Sequence, residues 1–153
     1  MIHQPKNRTL KGRNASASLI WSTSFSRDKT VRFTQAQRFV DSECIRLMAR
    51  YTPEKTRTLI RSATLGTRIG SGRIVYPVPY GRYQYYGIVF GPNYPIFENR
   101  QLIGWSSPPK KRSTDRKLKY TKPSARPRWF EVMKANHGAS ILRGAARIAG
   151  GHI

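Results

Sequence analysis

The chain has 153 residues, 38% of them hydrophobic, and its 29 Lys and Arg against 7 Asp and Glu leave a net charge of +22. That length serves one domain with its own core, and no apolar run approaches the roughly 20 residues of a membrane span, so the sequence reads as one soluble domain without a membrane partner. One cysteine, Cys44, excludes an internal disulfide, and three scattered histidines (His3, His137, His152) offer no metal-ligand spacing, while the charge calls for an anionic partner, either nucleic acid or an acidic protein surface.

Residues 1–15 hold Lys6, Arg8, Lys11 and Arg13 with no acid and few apolar residues, which predicts a flexible basic arm that orders on a partner. The serines of "NASASLIWSTS" interrupt any secretory apolar stretch behind those charges. Residues 16–153 read as a single domain. "SASLIWSTSF" alternates briefly and predicts an edge strand. With Asp28 as N-cap, Phe33, Ala36, Val40, Cys44, Leu47 and Tyr51 recur every three or four residues and predict a helix ending near Thr52, ahead of Pro53. Cys44 lies on that stripe and reads as a small buried hydrophobe.

Downstream, "ATLGTRI" and "RIVYPV" flank the Gly70-Ser71-Gly72 turn, which predicts a hairpin whose second strand ends at Pro77 and Pro79. Gly66, Gly70 and Gly72 read as turn residues, because no P-loop lysine and hydroxyl pair follows them. The next stretch, "PYGRYQYYG" (Pro79 to Gly87), packs four tyrosines and an arginine into nine residues. If it is extended, Tyr83 and Tyr85 share a side; if it is helical, Tyr83 and Tyr86 share a face that Tyr85 leaves. In neither case do four rings form one base-stacking platform. The stretch therefore reads as an anchor against the hairpin and a neighbouring subunit, with Tyr80, Arg82, Tyr83, Tyr85 and Tyr86, together with Trp129, as candidate interface residues.

Ser106 to Arg126 carries Lys110, Lys111, Arg112, Arg116, Lys117, Lys119, Lys122 and Arg126 against Asp115 alone, interrupted by Pro108, Pro109 and Pro123, which predicts a long basic loop. These eight residues and the four cations of the arm are the candidate contacts to an acidic partner or to DNA. Pro127 suits the first position of a last helix, whose stripe is Phe130, Met133, His137, Ile141, Ala145 and Ile148 and whose stop is Gly150-Gly151. His137 reads as a hydrogen-bonded packing histidine. The acids after the first helix are Glu54, Glu98, Asp115 and Glu131, with no pairing and no nucleophile or cofactor fingerprint beside them, so the sequence predicts neither an enzyme nor a cofactor.

Three stretches carry a resemblance: Thr52-Pro53-x-x-Thr56-x-x-Leu59-x-x-Ser62, Pro79-Tyr80 followed by Gln84-Tyr85-Tyr86-Gly87, and Arg128-Trp129-Phe130-Glu131-x-Met133-Lys134. In this order the chain resembles the tailed-phage minor capsid proteins of the tail-completion group of neck proteins, over roughly residues 30–150. The family often has Thr-Gly where this chain has Thr56-Arg57. The resemblance implies an α+β fold in which a long N-terminal helix and a C-terminal helix pack on a small antiparallel sheet. It also implies copies arranged in a ring, expected to be a hexamer, in the virion neck, with the host cytoplasm as the place of assembly. Head connector or adaptor proteins would lie on one side, tail tube or tail terminator proteins on the other, and genomic DNA in the channel. About six copies would carry on the order of 130 positive charges, whereas a ring roughly 40 Å tall encloses about 24 phosphates. Much of the charge is then expected to dock on acidic neighbours. The alternative is a sequence-independent nucleic-acid-binding protein, with Lys and Arg on phosphates and tyrosines on unpaired bases.

Overall fold

Residues 2–151 are described in the computed structural model, so His152 lies outside the described residues. The long helix α1 spans Phe25–Met48. It starts three residues before the predicted Asp28: Ser24 takes the N-cap position and its hydroxyl donates to the Asp28 carboxylate at 2.6 Å. Asp28 therefore lies in the first turn, where a negative charge complements the helix dipole. Thr52 closes the C-terminal end, its amide and hydroxyl both donating to the Met48 carbonyl at 2.9 Å, and Pro53 follows.

The last helix, α4 (Trp129–Ala149), runs antiparallel along α1. Tyr51 meets His137 at one end, Phe39 meets Gly144 in the middle and Arg32 meets Gly150 at the other. A Cβ on Gly144 would stand 2.5 Å from the Phe39 ring, so the missing side chain sets how closely the helices approach. Cys44, Met48, Leu59, Trp129, Met133 and Ile141 form the core, with Val40, Leu47, Tyr51 and Tyr85 packed against it. The core gathers at the C-terminal half of α1, which leaves the predicted stripe residue Phe33 53% exposed. On α4 the predicted stripe holds at Met133 and Ile141 but fails at its first member. Trp129 is the buried residue and Phe130 faces out. Pro127 precedes the helix, with Arg128 between them in the left-handed region at φ 49°.

The predicted hairpin around Gly70-Ser71-Gly72 does not form. Thr58–Gly66 is a helix, α2, burying Leu59, Ser62 and Ala63 on one face, and residues 73–78 run on without a strand partner. Tertiary burial overrides the β preference of a short Thr- and Ile-rich run. Asp41 takes the place of a ladder: its Oδ2 accepts the Gly70 and Gly72 amides at 2.7 and 3.1 Å, and its Oδ1 accepts the Gln37 side-chain amide at 2.7 Å. Val75 donates its amide to the Thr67 hydroxyl at 3.0 Å. Arg57, at the start of α2, has φ 61°. Glycine is the residue that adopts that conformation without steric cost.

The tyrosine stretch is helical: α3 covers Gly81–Tyr86 and ends at Gly87, which has φ 69° and whose Cβ would stand 2.8 Å from Pro127. The strands make three separate antiparallel pairs: β1 (Arg8–Lys11) with β2 (Ser16–Leu19), β3 (Ile88–Gly91) with β6 (Arg112–Lys117), and β4 (Tyr94–Glu98) with β5 (Gln101–Ser106). The predicted arm thus contains a strand. It pairs with the expected edge strand, and its root is tied down by hydrogen bonds from Ile2 N to Thr30, Ser26 N to Gln4 and Trp21 N to Asn7.

The predicted basic loop is likewise structured. After β6, Leu118 N donates to Gly87 O and the Tyr120 hydroxyl to Gln84 O. Lys122 Nζ, Ser124 Oγ and Arg126 N then donate to the carbonyls of Ala49, Arg50 and Tyr51 at 2.8, 2.8 and 3.0 Å. Those carbonyls follow the end of α1 and have no intrahelical partner, so a chain too polar to build a core alone is ordered by satisfying them. The architecture is α+β, with N- and C-terminal helices packed together and small antiparallel sheets.

Candidate functional site

The rings of "PYGRYQYYG" diverge. Tyr83 packs on Phe90 with centroids 4.6 Å apart, and Tyr85 meets Trp129 edge-on at 4.8 Å and 89°. The Tyr85 hydroxyl donates to Glu131 at 2.6 Å; burial first, and that hydrogen bond second, push its pKa up. Tyr80, Arg82 and Tyr86 are exposed. Trp129, read from sequence as an interface residue, is 1% exposed with its indole N–H donating to the Tyr76 hydroxyl at 3.2 Å. Its primary place is the core, because the αL turn at Arg128 swings it under α1 and α3 instead of outward. His137 shares a 3.1 Å hydrogen bond with the Tyr51 hydroxyl, as a packing histidine does.

The twelve candidate cations separate. Lys6, Arg8, Lys11 and Arg13 are exposed on the N-terminal hairpin, and Lys110, Arg112, Arg116, Lys117 and Lys119 are exposed on and around β6, with Lys111 half-buried. Lys122 and Arg126 have intramolecular partners: Lys122 bonds Ala49 O and lies 3.4 Å from Glu54, and the Arg126 guanidinium donates to Pro123 O and Ala125 O.

Five of the seven acids make internal contacts. Asp28 accepts from Ser24, Asp41 from the glycine turn, Glu43 from Arg46, Glu54 from Arg57 and Glu131 from Tyr85. The Arg46 hydrogen bond holds the Glu43 carboxyl below its ordinary pKa, and that of Arg57 does the same for Glu54. Among the described residues only Arg27, Arg46, Arg57 and Lys122 form ion pairs, so most of the positive charge faces outward uncompensated.

One surface escaped the sequence reading. The β4–β5 hairpin turns at Asn99-Arg100, both at positive φ (50° and 62°), a two-residue turn without the glycine that advertises one. Pro95 pairs with Trp105 and Phe97 with Leu102, across an irregularity at Ile103, which places all four on one face. Phe97 and Trp105 are 62% and 60% exposed, and Tyr94, Ile96, Leu102 and Ile103 are exposed as well. The hairpin packs on no other helix or strand to any extent among the described residues. The available signal was charge: residues 83–109 contain one Glu and one Arg in a chain averaging 24% charged.

A second apolar feature opens on the body. A groove of about 410 Å³ lies between α1, the 72–76 segment, α3 and α4, lined by Val40, Ile74, Tyr76, Tyr85, Trp129 and Phe130. No Lys or Arg lines it, and Asp41, its only carboxylate, is bonded to the glycine turn. Cys44 also lines it, and burial raises the thiol pKa. No group of His, Cys, Asp and Glu able to hold a metal occurs among the described residues, and no described helix is long and apolar enough to cross a membrane. No family model, characterised protein or solved structure matches the chain.

Proposed function

We propose that this chain is a structural protein of a phage virion neck, one of several copies in a ring that joins the head connector to the tail. The observation that carries the reading is the division of charge: five of the seven acids have partners within the molecule, while the exposed cations of β1, β6 and their flanks form no ion pair among the described residues. Such surfaces suit docking on acidic proteins or on the genome. The three stretches of the resemblance add a consistent picture, because they meet in one place. Leu59, Tyr85, Trp129 and Met133 share the core, and Arg128 N donates to Tyr85 O at 2.7 Å. The likeness therefore lies in the framework, and the mechanical role asks no catalysis of it.

The test is to trace the chain in intact particles by cryo-electron microscopy and to measure head-to-tail joining against salt. A ring at the neck with residues 106–126 on acidic neighbours, and joining that weakens as salt rises, is the expected result. Absence from the particle, with the purified monomer coating free DNA on a steep salt slope, would replace this reading with the nucleic-acid binder.

A further inference from the structure

The β4–β5 hairpin and the α1/α4 groove have the properties of two halves of one contact. An isolated two-stranded hairpin is only marginally stable in water, yet this one has no extensive packing against another helix or strand among the described residues. Its six large side chains (Tyr94, Ile96, Phe97, Leu102, Ile103, Trp105) are all exposed, and the face that carries Phe97, Leu102 and Trp105 leaves on the order of 350 Å² of mostly apolar surface in water, the size of a patch that marks a contact site on a monomer's surface.

Charge selects the occupant. Two copies of a +22 molecule repel one another over most of their surfaces. The hairpin, with Glu98 balancing Arg100, is net neutral, and the groove is lined by no cation. These are the regions where two copies can meet with the least repulsion. The groove is the size that accommodates a compact apolar group, and Tyr76, Tyr85 and Phe130 offer it ring edges and faces.

We propose that the hairpin of one copy, led by Phe97 and Trp105, seats in the groove of the next. Donor and acceptor are different surfaces of the same chain, so the contact is heterologous and repeats head to tail, closing into a ring where the rotation permits. The inference deepens the assembly reading and rests on it for its setting in the particle, while its geometry stands on the hairpin and the groove. Exposed cations play no part in it.

The test uses the full chain in sedimentation and light scattering. The intact protein forms oligomers whose association is unchanged or strengthened by added salt, opposite to the salt-weakened docking on acidic partners, so the two ideas fail separately. Phe97→Ser with Trp105→Ser removes donor side chains that are themselves largely exposed, and Phe130→Glu alters the groove at a side chain that is already exposed. Each weakens self-association by about tenfold or more while leaving the unfolding midpoint in place. A mixture of the two, each variant retaining one intact surface, forms heterodimers and nothing larger. A monomeric intact protein, unimpaired self-association in the donor variant, or a mixture that stays monomeric would each overturn the proposal.

Discussion

Replacing Asp41 by alanine removes the anchor of the glycine turn. Asp41 is 2% exposed and accepts three hydrogen bonds, from Gly70, Gly72 and Gln37. A hydrogen bond to a charged group contributes about 1.5 to 3 kcal/mol, and a buried donor left alone costs about 1 to 3 kcal/mol. Gly72 is exposed, so water can take over its N–H; Gly70 and Gln37 are half-buried and are not so easily rescued. The expected loss is about 2 to 4 kcal/mol, a large share of the 5 to 15 kcal/mol that holds a typical domain. For a chain of this size that lowers the melting temperature by about 5 to 15 °C. Asp41→Asn keeps one acceptor oxygen for the turn and loses roughly half as much. Urea unfolding of the three proteins gives the energies, and amide exchange at Gly70 and Gly72 locates them. Asp41→Ala with an unchanged midpoint and unchanged protection at both glycines would refute the anchoring role.

Three further outcomes follow from the same contacts. Burial raises the hydroxyl pKa of Tyr76, Tyr85 and Tyr120. In the unfolded chain these groups ionise near about 10, so the stability they confer is full below that pH and fades as pH rises past it, seen as a falling melting temperature and late tyrosinate absorbance; titration of all tyrosines together with no loss of stability would contradict this. At Arg57, φ 61°, Gly should outlast Ala by about 1 kcal/mol in unfolding, since both lose the Glu54 pair and Gly alone relieves the left-handed strain; equal stabilities would show that the strain is absent. Gly144→Val forces α4 away from Phe39 and should cost about 1 to 3 kcal/mol by thermal melting, an unshifted melt being evidence that the helices are not closely apposed there.

The helix pair was legible because burial of one face imposes a period, and Ala36, Cys44, Met133 and Ile141 keep it. Exposure of Phe33 and Phe130 was not legible, since a period gives an angle around the helix and says nothing of whether another element arrives to cover it. The false hairpin has a similar cause. Its glycines do make a turn, but the donors they free go to Asp41, 29 residues earlier, and a lone carboxylate at the edge of an apolar stripe gives no sign of that. The ordering of residues 118–126 was hidden because its partners are backbone carbonyls, which carry no sequence signature. The sequence points to Tyr85 and Trp129 as interface residues, yet the core, and not an outer surface, is what claims Trp129.

Three sheets of two strands each leave every strand with an open edge, and such edges invite indiscriminate pairing between chains. On β1 and β6 that hazard is countered by Arg8, Lys11, Arg112, Arg116 and Lys117, whose mutual repulsion keeps like edges apart. The β4 and β5 edges contain no lysine or arginine and only Glu98, with Arg100 at the turn between them. The surplus charge thus also guards against edge pairing: among the described residues it lines one strand in each of two of the three sheets, and the third, without it, is the most open to pairing between chains once salt screens the rest.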